Sequence, residues 1–392
     1  MAYEGFFGEA VDRIGGEPIS ARMARKAPIR HLDPSLLLVT LLLSAYGAVM
    51  VHSTTSAGAT ASITDANLLL KRQLAYLVAG VAVLLAVSFF DYRHLGGFAP
   101  VVYGATILAL ILVLSPLGDT QKGATRWINL GAFQAQPSEL AKIAVIVTLA
   151  AFLAARKAEL RARDVALCLA LVAIPSLLIY LQPDLGTMMV FVSLLGALLL
   201  VGGARLRHFL TLGAMGLLAV LIVLQAGLLK DYQLQRLTSF LDPSPDVQSV
   251  GYNLTQSKIA IGSGGMRGKG LGGRNTQTSL DFVPEQHTDF IFTAVGEQLG
   301  FVGSATLLGL FAFLIWRGLR IATMSRDLFG SLLASGLVAL WAFQVFVNVG
   351  MTMGIMPITG IPLPFISFGG SSLITNYVGV GLLLNIHMRR FL

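Results

Sequence analysis

The sequence predicts an all-α polytopic membrane protein with ten transmembrane helices. Its 392 residues are 55% hydrophobic and only 12% charged, and the mean hydropathy is +0.74. A soluble domain carries about 25% charged residues, so this composition excludes an ordinary globular cytosolic protein. Runs of about 18–22 apolar residues recur along the chain and have the length of membrane-spanning helices.

The ten predicted spans share that length and composition, and they lie near residues 35–52, 73–90, 98–116, 137–155, 165–181, 185–202, 208–228, 288–316, 328–349 and 370–388. The eighth is longer than a bilayer requires, so we expect it to begin outside the membrane, at Asp289 or slightly before. The first is followed by small residues, as in a signal peptide, but about 33 residues precede it, which favours an uncleaved helix.

The positive charges predict the orientation of the spans. Ten spans place both termini on one side, and that side carries seventeen of the 28 Lys and Arg residues if the termini are cytoplasmic. The other side carries ten, six of them in one long loop, and Lys142 lies within a span. The short loops therefore follow the positive-inside rule, and both termini are expected in the cytoplasm. The net charge of +8 is then a topology signal, with no nucleic-acid partner.

The predicted domain organisation is a cytoplasmic N-terminal tail, residues 1–33, and a membrane domain, residues 34–392. A shorter extracytoplasmic loop runs from about residue 117 to 136, and a large one, residues 229–287, lies between helices 7 and 8. Aromatic residues and the helical-looking stretch YNLTQSKIAIGSGG argue that the large loop is structured. The single cysteine, Cys168, excludes an intrachain disulfide and is expected to be a small buried residue.

A glycine cluster in the large loop, GSGGMRGKGLGG at residues 262–273, contains a literal G-x-G-x-x-G pattern. No strand precedes it and Lys269 is not followed by Ser or Thr, so it is neither a dinucleotide fingerprint nor a P-loop. Two interpretations stay open. The segment is a flexible turn, or it is a nest of backbone amides that holds phosphate with Arg267 and Lys269.

Ionisable residues inside apolar spans are energetically expensive and mark candidate functional sites. Glu139 and Lys142, three residues apart in QPSELAK, share a helix face. They form either a neutralised structural pair or the lining of a polar cavity. Asp184, in LQPDLGT, is expected to cap the sixth helix.

The stretch PEQHTDFIFTAVGEQLG, residues 284–300, holds three further candidates. Asp289 and Glu297 are eight residues apart and would share one face of a helix that includes both. Asp289 is either stabilised by the helix dipole or acts as a general base in a polar cavity. His287 is the rival base, because histidine side chains titrate near neutral pH.

Two other stretches carry groups that could meet a substrate. In GATRWINLG, Arg126 and Trp127 are either an interfacial anchor or a cation for phosphate beside a ring for sugar or lipid. PITGIPLPFISFGGSS, residues 357–372, predicts broken backbone near membrane depth, which is tolerated only where it is buried or lines a cavity. The residues alone suit an enzyme acting on a lipid-linked substrate or a transporter.

Seven stretches, in order, resemble the SEDS family of bacteria, the RodA, FtsW and SpoVE group, over nearly the whole chain from about residue 34. They are GATRWINLG, QPSELAK, LQPDLGT, YQLQRLTSFLDP, GYNLTQSKIAIGSGGMRGKG, PEQHTDFIFTAVGEQLGFVG and GIPLPFISFGGSS. Within the family, QSKIAIGSGGMRGKG and LTSFLDP look most like RodA.

The resemblance implies a peptidoglycan glycosyltransferase, multi-pass in the bacterial cytoplasmic (inner) membrane, with its active site facing outward. Such an enzyme polymerises lipid II into glycan strands during cell elongation, beside a class B penicillin-binding protein that crosslinks the peptides. The family's essential acid falls on Asp289 and its arginine-tryptophan pair on Arg126 and Trp127. Its polar fourth-span pair falls on Glu139 and Lys142.

The implied mechanism assigns Asp289 the proton of the acceptor sugar 4-hydroxyl. The leaving group is undecaprenyl diphosphate, and the cation that stabilises it is left open among five residues: Arg126, Lys142, Lys258, Arg267 and Lys269. Mg²⁺ or Mn²⁺ would be held partly by the substrate phosphates, and no organic cofactor is expected. Glu297 and His287 are candidates for binding substrate. The rival hypotheses are a lipid II flippase and a non-catalytic scaffold for the penicillin-binding protein.

Overall fold

The structure is a computed structural model that describes most of the chain. The described ranges are 31–57, 66–121, 124–129, 131, 133–156, 159–225, 227, 250–273, 276–280, 282 and 285–390. The predicted tail up to residue 30 lies outside them. So does the first part of the large loop, residues 228–249, with the stretch YQLQRLTSFLDP.

Helices dominate the described residues. In chain order the elements are helices α1 (Pro34–Ala57), α2 (Ala66–Phe89) and α3 (Tyr92–Leu114), strands β1 (Gly118–Gln121), β2 (Ala124–Asn129) and β3 (Gln134–Ala135), and helices α4 (Pro137–Ala154), α5 (Ala162–Leu181), α6 (Leu185–Val201), α7 (Leu206–Gln225), α8 (Val250–Ser263), α9 (Ile291–Thr323), α10 (Leu328–Met353) and α11 (Gly370–Arg389).

Ten of these helices coincide with the ten predicted spans. Eight of them, α1 to α5, α7, α9 and α10, are long and apolar enough to cross a membrane. The polytopic helical fold is thus confirmed. Helix α6 is shorter, with 17 residues, and α11 does not meet the same criterion, so the count of ten remains a prediction. Helix α8 agrees with the helical stretch predicted in the large loop.

One loop adds a short sheet to the helical fold. The loop between α3 and α4 contains a three-stranded antiparallel sheet in the order β1-β2-β3, with Gly118 opposite Ile128 and Ile128 opposite Ala135. Strand β2, ATRWIN, has the aromatic and β-branched residues that favour strands. The strands are two to six residues long, too short for an alternation that sequence patterns can detect.

Helix α9 differs from the predicted eighth span in its start and its shape. It begins at Ile291, after an N-cap at Phe290, so Asp289 lies outside it. Gly300 interrupts the helix with φ 63° and ψ −158°. A side chain at Gly300 would run into the backbone of Arg267 and Gly268, so this kink requires glycine. Because Asp289 lies outside α9, the prediction that Asp289 and Glu297 share one face of a helix is wrong.

The described helices form one bundle with two chemically different ends. Helices α4 and α10 approach closely in its core, where a Cβ on Gly336 would lie 2.6 Å from Ile146. Cys168 is buried, as predicted.

At the end opposite Asp289, Arg317 of α9 donates to the carboxylate of Asp33 before α1. Burial raises the pKa of Asp33, but hydrogen bonds from Ser35, Arg317 and a backbone N–H outweigh it and leave that pKa below its ordinary value.

Candidate active site

The backbone of Asp289 is clamped by a side chain from within the bundle. The amide Nδ2 of Asn348, on α10, donates to the carbonyl of Asp289 at 2.9 Å and to the carbonyl of Ile361 at 2.8 Å. Asn348 is fully buried. One amide group therefore ties the residue before α9 to the irregular segment between α10 and α11, and both backbones are held in one arrangement.

The two residues before Asp289 are joined to the same segment. The N–H of Phe368 donates to the carbonyl of His287 at 2.9 Å. The hydroxyl of Ser367 donates to the carbonyl of Thr288 at 2.7 Å and accepts from the N–H of Leu363 at 2.8 Å. The stretch from His287 to Asp289 is thus bonded residue by residue to the predicted broken backbone, which is buried as its polar groups require.

The carboxylate of Asp289 faces a glycine. Gly360 has φ +73°, and a Cβ built on it would lie 3.3 Å from Oδ2 of Asp289. On the other side of this segment, a Cβ on Gly186 of α6 would lie 2.8 Å from the carbonyl oxygen of Thr359. The segment therefore lies between α6 and Asp289 at close backbone range, and any side chain at residue 360 would press on the carboxylate.

Two non-glycine residues with left-handed backbone flank this arrangement. Glu285 has φ 54° and Phe365 has φ 64°. Such residues cost about 1–3 kcal/mol each and persist only where the surroundings hold them. Thr288 donates to the Glu285 carboxylate at 3.0 Å, and the ring of Phe365 is buried against Trp341. Residues with strained backbone of this kind occur at functional sites more often than elsewhere.

His287 lies beside an aromatic group. Its ring centroid is 6.0 Å from that of Phe368, which is 6.3 Å from that of Tyr76 on α2. Tyr76 in turn contacts Phe133 edge-on at 6.0 Å. The aromatic group joins α2 and the sheet connection to the segment around Asp289.

Arg126 of β2 is committed to backbone carbonyls. Its Nε donates to the carbonyl of Gln182 at 3.0 Å, and its guanidinium also donates to the carbonyl of Pro183. These carbonyls end α5, next to Asp184, which caps α6 by accepting from Thr187 at 3.1 and 2.9 Å as predicted. Arg126 thus fastens the sheet to the turn between α5 and α6. Trp127, next to it in β2, is half-buried and stands opposite Asp119 of β1.

Glu139 and Lys142 form a buried ion pair in the first turns of α4. Their Oε1 and Nζ atoms are 2.7 Å apart, and both side chains are less than 5% exposed. The second carboxylate oxygen of Glu139 is buried without a partner among the described residues. Just before the helix, the N–H of Gln136 donates to Ser371 at 3.0 Å, which places the pair near the start of α11.

Glu297 lies in α9 and is fully buried. Its carboxylate accepts from Nζ of Lys269 at 2.9 Å and from the N–H of Gln277 at 2.7 Å. The other oxygen accepts from the N–H and the hydroxyl of Thr278 at 3.0 and 2.9 Å. Four donors from the large loop therefore converge on one carboxylate, and Glu297 fixes that loop on α9.

The glycine cluster is fixed as well. The N–H groups of Gly268, Lys269 and Gly270 donate to the carbonyls of Gly264, Glu297 and Gln298, at 2.8, 3.0 and 2.9 Å. These three amides bond within the protein and are not available to hold phosphate. The side chain of Arg267 is exposed.

Lys258 lies on α8, which packs on both α9 and α10. The hydroxyl of the neighbouring Ser257 is 2.6 Å from that of Thr293 and 2.8 Å from the carbonyl of Thr352. Lys258 itself is exposed, and its stem covers Gly354 so closely that a Cβ there would overlap it. Within the described ranges, Lys258 and Arg267 make no ion pair, in contrast to Lys142 and Lys269.

The structure thus brings Asp289 and His287 together with Asn348, Ser367 and Gly360, three residues that the sequence analysis did not select. Asn348 carried a signal, since it is a polar residue within the apolar run VFVNVG, and the same rule selected Glu139. Ser367 and Gly360 lie in an irregular segment whose path is set by tertiary contacts.

Comparison with known proteins identifies the family. A family model for FtsW, RodA and SpoVE, described as a cell cycle protein, matches residues 34–391. The chain belongs to the FtsW/RodA/SpoVE family. The resemblance found in the seven sequence stretches is therefore confirmed.

Curated members of the FtsW/RodA/SpoVE family match along nearly the whole chain. The peptidoglycan glycosyltransferase MrdB of Escherichia coli K12 is 40% identical over 361 residues, which cover 92% of this chain and 94% of MrdB. Stage V sporulation protein E of Bacillus subtilis is 39% identical over 91% of this chain and 98% of its own length.

Solved structures of the family share the fold. The rod shape determining protein RodA of Thermus thermophilus is similar with a TM-score of 0.68 and 32% identity, over 92% of this chain and 98% of its own. A chain of a peptidoglycan synthase complex, studied for how it coordinates polymerization and crosslinking, is similar with a TM-score of 0.77 and 34% identity. That match covers 92% of this chain and 98% of its own.

Proposed function

We propose that the chain is a peptidoglycan glycosyltransferase that polymerises lipid II into glycan strands during cell elongation, with Asp289 as general base. The observation that carries this is the placement of Asp289 just before a membrane helix. Asn348 holds the backbone carbonyl of Asp289, and the Asp289 carboxylate faces Gly360. The 40% identity to MrdB over 92% of the chain supports the reaction class.

Asp289 suits the role of base. The acceptor is a sugar 4-hydroxyl, which is a poor nucleophile until its proton is taken. The N-terminal end of α9 favours the negative charge that a base needs. The clamp fixes the backbone of Asp289 relative to the bundle, and positioning of a catalytic group contributes strongly to rate. Gly360 itself places no side-chain atom beside Oδ2.

Lys258 is proposed as the cation for the diphosphate leaving group. Of the five candidates, Arg126, Lys142 and Lys269 are engaged by other groups of the protein. Ser257, next to Lys258, contacts Thr293, which is four residues from Asp289. Arg267 packs instead at Gly300, which is eleven residues after Asp289 in the chain.

A divalent cation, Mg²⁺ or Mn²⁺, is proposed to be held mainly by the diphosphate of the substrate. In the part of the chain that the structure describes, no group of three or more His, Cys, Asp or Glu side chains could hold a metal. A cation shared with substrate phosphates needs only one or two carboxylates, and Asp289 and Glu285 lie at the site. It would neutralise charge on the leaving group.

The enzyme is proposed to lie in the bacterial inner membrane with Asp289 facing outward. Arginines crowd the opposite end of the bundle, and the positive-inside rule places that end in the cytoplasm. A class B penicillin-binding protein is the proposed crosslinking partner. The similarity to a chain of a peptidoglycan synthase complex supports this assembly.

Lipid II polymerisation in detergent tests the function directly. The purified protein is mixed with its penicillin-binding protein, whose crosslinking is blocked by penicillin, and glycan ladders are read on a gel. Micelles contain no compartments, so a flippase yields no product there. Ladders that need this chain support a polymerase. Their absence with a verified partner favours the flippase, and ladders from the partner alone favour the scaffold.

A further inference from the structure

A cavity lies at the end of the bundle opposite Asp289. It has a volume of about 780 Å³ and lies between the start of α3, the end of α4 and the start of α10. Because it sits at the ends of three predicted spans, it lies at the depth of lipid headgroups. The mechanism proposed above makes no use of it.

The cavity wall carries a net positive charge. Arg93 and Arg326 line it, together with Asp327. The Asp327 carboxylate caps α10 by accepting from the N–H of Gly330 at 2.7 Å, and it also accepts from the hydroxyl of Tyr92. Within the described ranges neither arginine makes an ion pair, and both are exposed. Two cations and one engaged anion leave a charge of +1, which matches one phosphodiester.

Small residues leave room between the arginines. Gly96 and Gly97 of α3 face Ala151 and Ala154 of α4 across the cavity. A Cβ on Gly97 would meet nothing within 4 Å. Guanidinium groups bind phosphate through paired hydrogen bonds, so two arginines beside open space can hold one phosphate group.

An apolar track continues from the cavity along the same helix. Val101 and Leu108 follow Gly97 by four and eleven residues and so share its face of α3. The two residues are 67% and 58% exposed. An acyl chain attached to a phosphate in the cavity would lie along this face.

We propose that this cavity binds the phosphate headgroup of an anionic phospholipid from the leaflet at the basic end of the bundle. The site combines two arginines that make no ion pair among the described residues, open space beside Gly97 and an apolar track that leads toward the membrane centre. One of the arginines, Arg93, also lies over the ring of Tyr92 at 6.0 Å. Basic pockets between membrane helices on the cytoplasmic side bind anionic headgroups in this way.

Lipid binding to the purified, delipidated full chain tests the proposal. The probe is short-chain phosphatidylglycerol, and its apparent affinity is read from the concentration dependence of the melting temperature. The double variant Arg93→Gln/Arg326→Gln is expected to bind about thirtyfold more weakly, the loss of two basic contacts with an anionic lipid. Arg163→Gln/Arg320→Gln removes the same charge at the same end outside the cavity and should bind within about threefold of wild type.

A second variant keeps the test independent of the arginines. Gly97→Leu fills the cavity without changing charge and should also weaken binding. Equal weakening by the control pair would overturn the proposal in favour of diffuse surface charge. Equal binding of phosphatidylcholine would overturn it too, as would an equal shift with inorganic phosphate, which would indicate a site for free phosphate. Unchanged binding by Gly97→Leu would show that the cavity is not the site.

Discussion

The side-chain amide of Asn348 holds the carbonyl of Asp289 at 2.9 Å, across the boundary between α10 and the start of α9. The same nitrogen holds Ile361 at 2.8 Å. Asn348 therefore bonds to the backbone carbonyl of the proposed base and not to its carboxylate. This geometry assigns Asn348 a positioning role.

Replacing Asn348 should impair turnover more than binding. Asn348→Asp removes both donors and places a carboxylate against two carbonyls, so the start of α9 should shift. A displacement of about 1 Å at a reacting group can cost 10²-fold in rate. We expect kcat for lipid II polymerisation to fall about 10²-fold, while KM stays within about threefold.

Asn348→Ala, which adds no carboxylate, is compared with Asn376→Ala as a matched control. Asn376 is also a buried asparagine with two hydrogen-bonding roles, one of them accepting from Trp341 at 2.8 Å. Its loss should lower the melting temperature by as much as Asn348→Ala does, with little effect on kcat below that temperature. If both alanine variants lose activity equally, Asn348 has no special role in positioning.

Gly360→Ala should slow the reaction through direct pressure on Asp289. The new methyl group would lie 3.3 Å from Oδ2, and the backbone has φ +73°. Gly203→Ala is the control, because Gly203 has φ +83° with nothing within 4 Å of its Cβ. Both variants should lose about 1–2 kcal/mol of stability from the left-handed backbone, and only Gly360→Ala should lose polymerisation. Full activity of Gly360→Ala would contradict the proposed access to the carboxylate.

Glu297→Gln should release the large loop from α9. The change removes the negative charge of the carboxylate that accepts hydrogen bonds from Lys269, Gln277 and Thr278. Loss of one partner from a buried ion pair lowers the free energy of unfolding by about 3–5 kcal/mol. Lys269→Met should cost less, because the Lys269 side chain is 34% exposed. The melting temperature of Glu297→Gln should therefore lie well below that of Lys269→Met. A Glu297→Gln protein with wild-type melting temperature but no activity would instead place Glu297 at the substrate.

Glu139 and Lys142 should behave as a coupled pair. Glu139→Gln or Lys142→Met alone leaves a buried charge without its partner, at a cost of about 3–5 kcal/mol. The double variant should regain much of that stability, which a double-mutant cycle on melting temperature would measure. Additive losses would argue against a structural pair. A stable but inactive double variant would favour the polar-cavity interpretation.

The helices and the family were largely predictable from the sequence. Long apolar runs and the placement of arginines determine the spans, because the bilayer core admits little else. The capping role of Asp184 followed from its position between two such runs. The start of α9 was not predictable, since the irregular turn that contains Asp289 has no periodic signal.

The partners of the site residues were the least predictable feature. Glu297 and Lys269 are 28 residues apart, and their ion pair depends on the kink at Gly300 and on the path of the glycine cluster. Arg126 was one candidate ligand for phosphate, yet its guanidinium donates to backbone carbonyls at the end of α5. Charge and spacing along the chain do not reveal such long-range contacts.

Polymerisation by Asp289→Asn is the measurement that tests the central claim most directly. Asn has nearly the same shape but cannot accept a proton at neutral pH. We compare it with wild type and with Asp91→Asn, which removes the N-cap carboxylate of α3 at the opposite end of the bundle. Removal of the base should lower the rate of ladder formation about 10²–10⁴-fold, with lipid II binding retained within about threefold, while Asp91→Asn stays near wild type. Equal rates for Asp289→Asn and Asp91→Asn would contradict the assignment of Asp289 as the base.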